Sequence, residues 1–273
     1  MAKRGQPPVG YYTATQAKKR LGDISDGMLR SYVQQGKIER VVPRERKQGF
    51  YKREDVDRLA RTLDDFLEQE PGEPGAQFGP VTREDMPEVV RLLIELFGGE
   101  DSTERRLLWL EKNPEVAFML RSKGKIVGCV FALPLTLQGI EAILSDPQPH
   151  STSTITADDI QPIAPGRSAY FYVVSMGVKP GVTAVAKRTR GEILIRGLLR
   201  FFLDLGKRGV PVKLIATRTA SRDGVNLLKR VGFTEIESNT LARNFIIEVE
   251  RSGIPFITLY KKALTEWKQE QST

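Results

Sequence analysis

Two Pro-Gly pairs set among acids, Glu68-Gln-Glu-Pro-Gly-Glu-Pro-Gly75, can neither continue a helix nor bury apolar surface, so they divide this chain before any fold is considered. At 273 residues the chain already exceeds the usual size of one domain. The expected organisation is a head at 1–67, a linker at 68–75, a body at 76–263 and a C-terminal tail at 264–273. Within the body, residues 136–167 are rich in Pro, Ser and Thr and read as a loop insert, either a substrate lid or disordered. The tail reads as a frayed helix with Trp267 as its anchor.

Charge separates along the same line. Residues 1–53 hold 13 Lys/Arg against 4 Asp/Glu, while the whole chain carries a net charge of +8, so the remainder is close to neutral. A fold does not require such asymmetry but a polyanion surface does, and the head is therefore read as a nucleic-acid-binding module. The one cysteine, Cys129, excludes an internal disulfide and sits in an apolar run as an idle buried thiol. With a single histidine, His150, in a polar stretch, neither a Cys/His metal cluster nor a Ser-His-Asp system is expected. No run of about 18 apolar residues occurs, and a soluble, cytoplasmic protein is expected.

In the head, Thr13 or Thr15 caps a helix at Gln16–Leu21 that Gly22 stops, and Ser25 caps a second at Asp26–Gln35 that Gly36 stops. Strands at Ile38–Val42 and Gly49–Lys52 flank a charged tip. A third helix follows at Arg53–Gln69, with Val56, Leu59, Leu63, Phe66 and Leu67 on one face. The strings Tyr12-Thr-Ala-Thr-Gln-Ala17, Leu29-Arg-Ser-Tyr-Val-Gln-Gln-Gly-Lys-Ile38 and Tyr51-Lys-Arg-Glu-Asp-Val56 resemble the MerR and excisionase type of winged helix-turn-helix. The resemblance implies binding to double-stranded DNA. Arg30, Ser31 and Gln34 on the second helix would then read base edges, and Lys18, Lys19, Arg44, Arg46 and Lys47 would meet phosphates. The third helix is too short for a coiled coil, so a homodimer would form through the body.

The body reads as mixed β-structure with crossover helices. Strands are expected at Gln77–Val81, Val116–Ser122, Ile126–Leu133, Ala169–Val178, Val212–Thr217, Thr234–Ile236 and Phe256–Lys261. Helices are expected at Glu84–Phe97, Thr103–Glu111, Gly191–Leu205 and Arg222–Val231, and Phe245–Val249 is open to either assignment. Lys125-Ile-Val-Gly-Cys-Val130, Tyr172-Val-Val-Ser-Met-Gly-Val-Lys-Pro180 and Asn226-Leu-Leu-Lys-Arg-Val-Gly-Phe233, in that order, resemble the GNAT acyltransferase superfamily. The whole chain is thus expected to be α/β (α+β): a winged helix-turn-helix followed by a GNAT-like mixed sheet with helices on both faces.

Residues 179–208 carry eight Lys/Arg against two Asp/Glu where a loop is expected to feed a helix N-terminus, a junction suited to a diphosphate. The resemblance implies acetyl-CoA or another acyl-CoA there, held by Met176, Gly177 and Val178 on the strand and by Arg188, Thr189, Arg190, Gly191 and Glu192. Ile193 stands where the family pattern has Gly or Ala, and Leu228 stands where the family often places an acidic Tyr. Tyr172 and Ser221 are the substitutes considered for catalysis. Two functions follow: acyl transfer to an amine on a protein or small molecule by an enzyme brought to DNA, or a non-catalytic regulator whose body senses acyl-CoA or dimerises.

Overall fold

The computed structural model describes residues 7–21, 24, 26–43, 49–68, 72–98, 101–147, 154–179, 183–238 and 242–272, with backbone alone at 61–68. The chain falls into two units, residues 1–69 with 251–263 and residues 70–250 with 264–273.

In the first unit, β1 (Tyr11–Tyr12), α1 (Ala14–Arg20), α2 (Asp26–Gln34), β2 (Arg40–Val41), β3 (Phe50–Lys52) and α3 (Arg53–Glu68) follow in order. Thr13 starts α1 with a capping box: its hydroxyl accepts from Gln16 N at 3.2 Å and Gln16 Oε1 accepts from Thr13 N at 2.9 Å. The strands form an antiparallel sheet in the order β1-β3-β2, so Tyr11–Tyr12 adds a strand that the sequence reading lacked. Ala17, Leu21, Ile24, Leu29, Tyr32, Ile38, Tyr51 and Val56 form its core. Asp55 ties α3 to the ribbon by accepting from Glu39 N at 2.9 Å while pairing with Arg58 at 2.7 Å. The expected helix stop and cap at Gly22 and Ser25, and the ribbon tip with Arg44, Arg46 and Lys47, lie outside the described residues, as do the side chains of Leu63, Phe66 and Leu67.

The second unit runs β4 (Gln77–Pro80), α4 (Met86–Phe97), α5 (Thr103–Lys112), β5 (Ala117–Ser122), β6 (Lys125–Leu135), α6 (Leu137–Ser145), a 3-10 turn (Ala157–Asp159), β7 (Ala169–Val178), α7 (Ala184–Lys207), β8 (Val212–Thr219), α8 (Arg222–Val231), β9 (Thr234–Ile236) and β10 (Arg243–Glu248). Its seven-stranded sheet is ordered β4-β5-β6-β7-β8-β10-β9, and β7 with β8 is its one parallel pair among the described residues. Side-chain alternation divides the core into two layers. Tyr172, Ala216, Phe131, Cys129 and Leu133 pack with α4, α5 and α6. On the other face Phe171 meets Phe201 and Phe202 of α7 at ring distances of 6.0 and 5.1 Å, and Phe118 meets Phe201 at 4.7 Å.

Three expectations are corrected. The insert is not a plain loop: Thr136 caps α6 by accepting from Gly139 N at 3.0 Å, and Ile140 and Ile143 bury one face of the helix. Its return leg is fastened by Trp109 Nε1 to Ile155 O at 3.2 Å, Asn113 Nδ2 to Gln161 O at 3.2 Å and Gln161 N to Pro134 O at 2.7 Å. Phe256–Lys261 is not a strand but part of α9 (Pro255–Glu270), which also absorbs the expected tail. Its buried positions Phe256, Ile257, Tyr260 and Ala263 follow helical rather than alternating spacing. The helix expected from Gly191 begins about two turns earlier, because Thr183 caps it by accepting from Ala186 N at 3.2 Å.

Candidate active site

The sheet opens at one place. β7 pairs with β8 from Ala169↔Val212 to Val173↔Thr217 and no further, although β7 continues to Val178 and β8 to Thr219 along β10. On its other edge β7 shifts register: Phe131 faces Ser175 but Ala132 faces Val173, so Val174 is an extra residue and bulges. A bulge re-aims the strand, and the main-chain groups of residues 174–178 that face away from β6 have no strand partner among the described residues. The apex of the split is closed by Thr217, whose buried hydroxyl donates to Val173 O at 2.8 Å.

Strand alternation sends Ser175 and Gly177, opposite Phe131 and Cys129, to the face of α4 and α5, and Met176 and Val178 to the face of α7. The end of α4 lies directly over Gly177. A Cβ there would come within 2.9 Å of Leu96 Cδ1 and 3.0 Å of Phe97 Cζ, so the tips of those two side chains rest against the glycine. Lys179, the residue after β7, pairs with Glu95 of α4 at 2.9 Å and holds the two ends together.

The residues expected to cradle a diphosphate are not gathered at a helix N-terminus. Arg188, Thr189, Arg190, Gly191 and Glu192 lie inside α7, where their amides are spent in the helix. Arg188 is exposed and pairs with Glu192 one turn on at 2.9 Å. Arg190 grips Glu73 with both Nε and Nη2, at 2.9 and 3.0 Å, and Ser122 also donates to Glu73. The Arg190 hydrogen bonds hold the Glu73 carboxyl below its usual range against a smaller opposing effect of burial. Ser122 is on β5, two strands from β7 or about 10 Å across the sheet, so Arg190 pins the chain before β4 rather than facing the split. The main-chain groups at the start of α7 belong to Thr183–Lys187, and Lys187 there is exposed.

Tyr172 and Ser221 are not brought together. Tyr172 is 4% exposed in the paired part of β7 below the split, and burial pushes its phenol up to about 12 despite the opposing charge of Arg218. Ser221 caps α8, accepting from Gly224 N at 3.0 Å. Leu228 is buried against Val225 and Phe245. Cys129 is fully buried and its thiol is likewise pushed up to about 12 by burial. Sequence reasoning passed over Ser175 and Thr217. Ser175 lies within the string Tyr172–Pro180, whereas Thr217 matters only through a register that no string contains.

Arg218, the residue after Thr217, holds the insert in place. Its Nη2 donates to Ile143 O and Leu144 O, both at 2.7 Å, and its Nε donates to Asn244 Oδ1 at 2.8 Å. Asn244, 1% exposed, donates in turn to Leu144 O at 2.8 Å. Leu144 O, at the end of α6, is thus satisfied from the sheet by Arg218 and Asn244, and Ile143 O takes a second bond beside that from Asp146 N.

In the head, Lys18 pairs with Asp26 at 2.9 Å, and Ser31 accepts from Gln35 Nε2 at 2.9 Å. Lys19, Arg30 and Gln34 are exposed. No helix among the described residues is long and apolar enough to cross a membrane.

No protein-family model matches the chain, and no curated protein matches it. Among solved structures the chain is similar to Ard1 from Thermoplasma volcanium, with 10% identity, a TM-score of 0.42, and 63% of this chain and 97% of that one covered. It is also similar to Arabidopsis thaliana Naa50 in complex with a bisubstrate analogue, with 11% identity, a TM-score of 0.41 and coverage of 63% and 97%. A third is the Drosophila melanogaster polyamine N-acetyltransferase, with 15% identity, a TM-score of 0.42 and coverage of 63% and 99%. Scores of this size carry no weight for function, which has to come from the chain's own residues.

Proposed function

We propose that the second unit is an acyl-CoA-dependent N-acyltransferase and that the first unit, a winged helix-turn-helix in this reading, brings it to DNA. The observation that carries the enzyme reading is the split between β7 and β8. An extended ligand with amides of its own can take the free main-chain groups of residues 174–178 as a strand would, and the pantetheine arm of coenzyme A is such a ligand. The diphosphate would then rest at the first turn of α7, on the amides after Thr183, with Lys187 and Arg188 as the reachable cations.

Acyl transfer forms a C–N bond and breaks the thioester C–S bond. The amine gives up a proton and the departing thiolate takes one. A main-chain N–H of the bulged segment, aimed at the thioester oxygen, would stabilise the charge that develops there. Ser175, within that segment and on the face of α4, supplies its one side-chain hydroxyl and is the candidate to pass a proton.

A second reading, a non-catalytic sensor of acyl-CoA, is favoured by one specific observation: Leu228, Tyr172 and Ser221 are all committed to packing or capping. Calorimetric titration with acetyl-CoA followed by a free-thiol assay with a panel of amines separates the two. Heat with thiol release supports the enzyme, heat alone supports the sensor, and neither removes the acyl-CoA reading. For the head, the test is the salt dependence of binding to duplex DNA, which should weaken steeply between low and physiological salt.

A further inference from the structure

Behind the α4 and α5 face of the split lies an ion cluster with more donors than acceptors. Arg106, 2% exposed, is stacked against the rings of Trp109 at 4.5 Å and Phe131 at 4.4 Å. Its Nη2 bonds Asp101 Oδ2 at 2.7 Å, and Arg105 Nη2 bonds Asp101 Oδ1 at 2.9 Å. One carboxylate therefore serves two guanidinium groups. Arg106 Nη1 and Arg105 Nε are both buried, and neither has an acceptor among the described residues. A buried charged donor left without a partner is costly, so two in one cluster call for a missing anion.

The cluster's position says which anion. Phe131, on which Arg106 stacks, faces Ser175 across the β6–β7 pairing, and its neighbour Cys129 faces Gly177. Phe131 is thus one strand spacing, about 5 Å, from the bulged segment, and Arg106 stacks on its ring on the side away from α7.

We propose that Arg106, supported by Arg105, recognises a carboxylate on the acceptor, so that the substrate class is a carboxylate-bearing amine such as an amino acid rather than a simple amine or polyamine. The proposal rests on the acyl-transfer reading and names its acceptor. Asp101 keeps Arg106 fixed and leaves one unit of positive charge for the ligand.

The test is an NMR titration of the full chain with N-acetylalanine and with N-ethylacetamide, product-like probes that differ in the carboxylate. The expected result is at least tenfold tighter binding of the acid. The preference should vanish in the Asp101→Asn, Arg106→Met double variant, which keeps the volume and removes both charges, while Arg106→Lys retains part of it. Equal binding of the two probes by the wild-type chain, which would leave an ordered water as the cluster's partner, overturns the proposal. So does a preference that survives in a double variant shown by circular dichroism to be folded. Acetyl-CoA titrated separately into the same samples reports on the acyl-CoA reading: absence of the carboxylate preference in the wild-type chain, with coenzyme binding intact, sinks the acceptor assignment alone.

Discussion

The hydroxyl of Thr217 donates to the main-chain oxygen of Val173 at 2.8 Å, at the last pair of residues that β7 and β8 share. Beyond it β7 bulges at Val174 and the sheet opens. Thr217→Val keeps the shape of the side chain and removes the bond at the apex. The expected outcome is a loss of about 1 kcal/mol in urea unfolding, together with weaker acetyl-CoA binding because the opening is no longer held at a fixed residue. Unchanged coenzyme affinity would detach Thr217 from the site.

Arg190 is committed to Glu73, not to a ligand. Arg190→Ala should leave acetyl-CoA affinity within about twofold, while Lys187→Ala with Arg188→Ala should lower it several-fold, since a phosphate contact near a helix start depends on those charges. Calorimetry on the two variants decides between the positions.

The same pair has a pH signature. The Glu73 carboxyl lies below its usual range, chiefly because Arg190 bonds it. Its contribution to stability is therefore complete above the unfolded glutamate value of about 4.3 and is lost as the pH falls through the lower folded value. Urea midpoints of wild type and Arg190→Ala should differ near neutrality and converge in acid.

Burial pushes the Cys129 thiol up to about 12. Iodoacetamide should leave native protein unmodified at pH 8 and label it fully in urea, read by mass spectrometry. Labelling of the folded chain would place the thiol at the surface instead of behind Gly177.

Arg218 closes the end of α6 with two bonds to carbonyls. Arg218→Ala should speed amide exchange across 137–147 at least tenfold while β6 and β7 stay protected, because the helix would lose its anchor and the sheet would not.

Much of this was legible from spacing. The helices expected at Glu84–Phe97 and Arg222–Val231 and the strands expected at Ala169–Val178 and Val212–Thr217 lie within two residues of the observed elements. The start of α7 did not, because a family pattern drew attention to Gly191, while the physical signal was Thr183 ahead of Ala184-Val-Ala. Gly191 sits in the helix with nothing near the position of a Cβ, so it carries no turn. The α6 helix was hidden because Pro, Ser and Thr elsewhere in the insert masked Leu137, Ile140 and Ile143 at helical spacing. The split is a property of register: nothing in the string Tyr172-Val-Val-Ser-Met-Gly-Val178 says that β8 stops pairing at Val173. The buried excess of Arg105 and Arg106 over Asp101 was invisible for the same reason, since ordinary helical charge and a desolvated cation read alike in sequence.

Residue-resolved amide hydrogen exchange with and without acetyl-CoA tests the central claim, that the opened edge of β7 receives the coenzyme. The account predicts that acetyl-CoA slows exchange at least tenfold within residues 174–178 and at the first turn of α7, with little change in β9 and β10. Slowing confined to other parts of the chain, or no slowing at saturating acetyl-CoA, would contradict it.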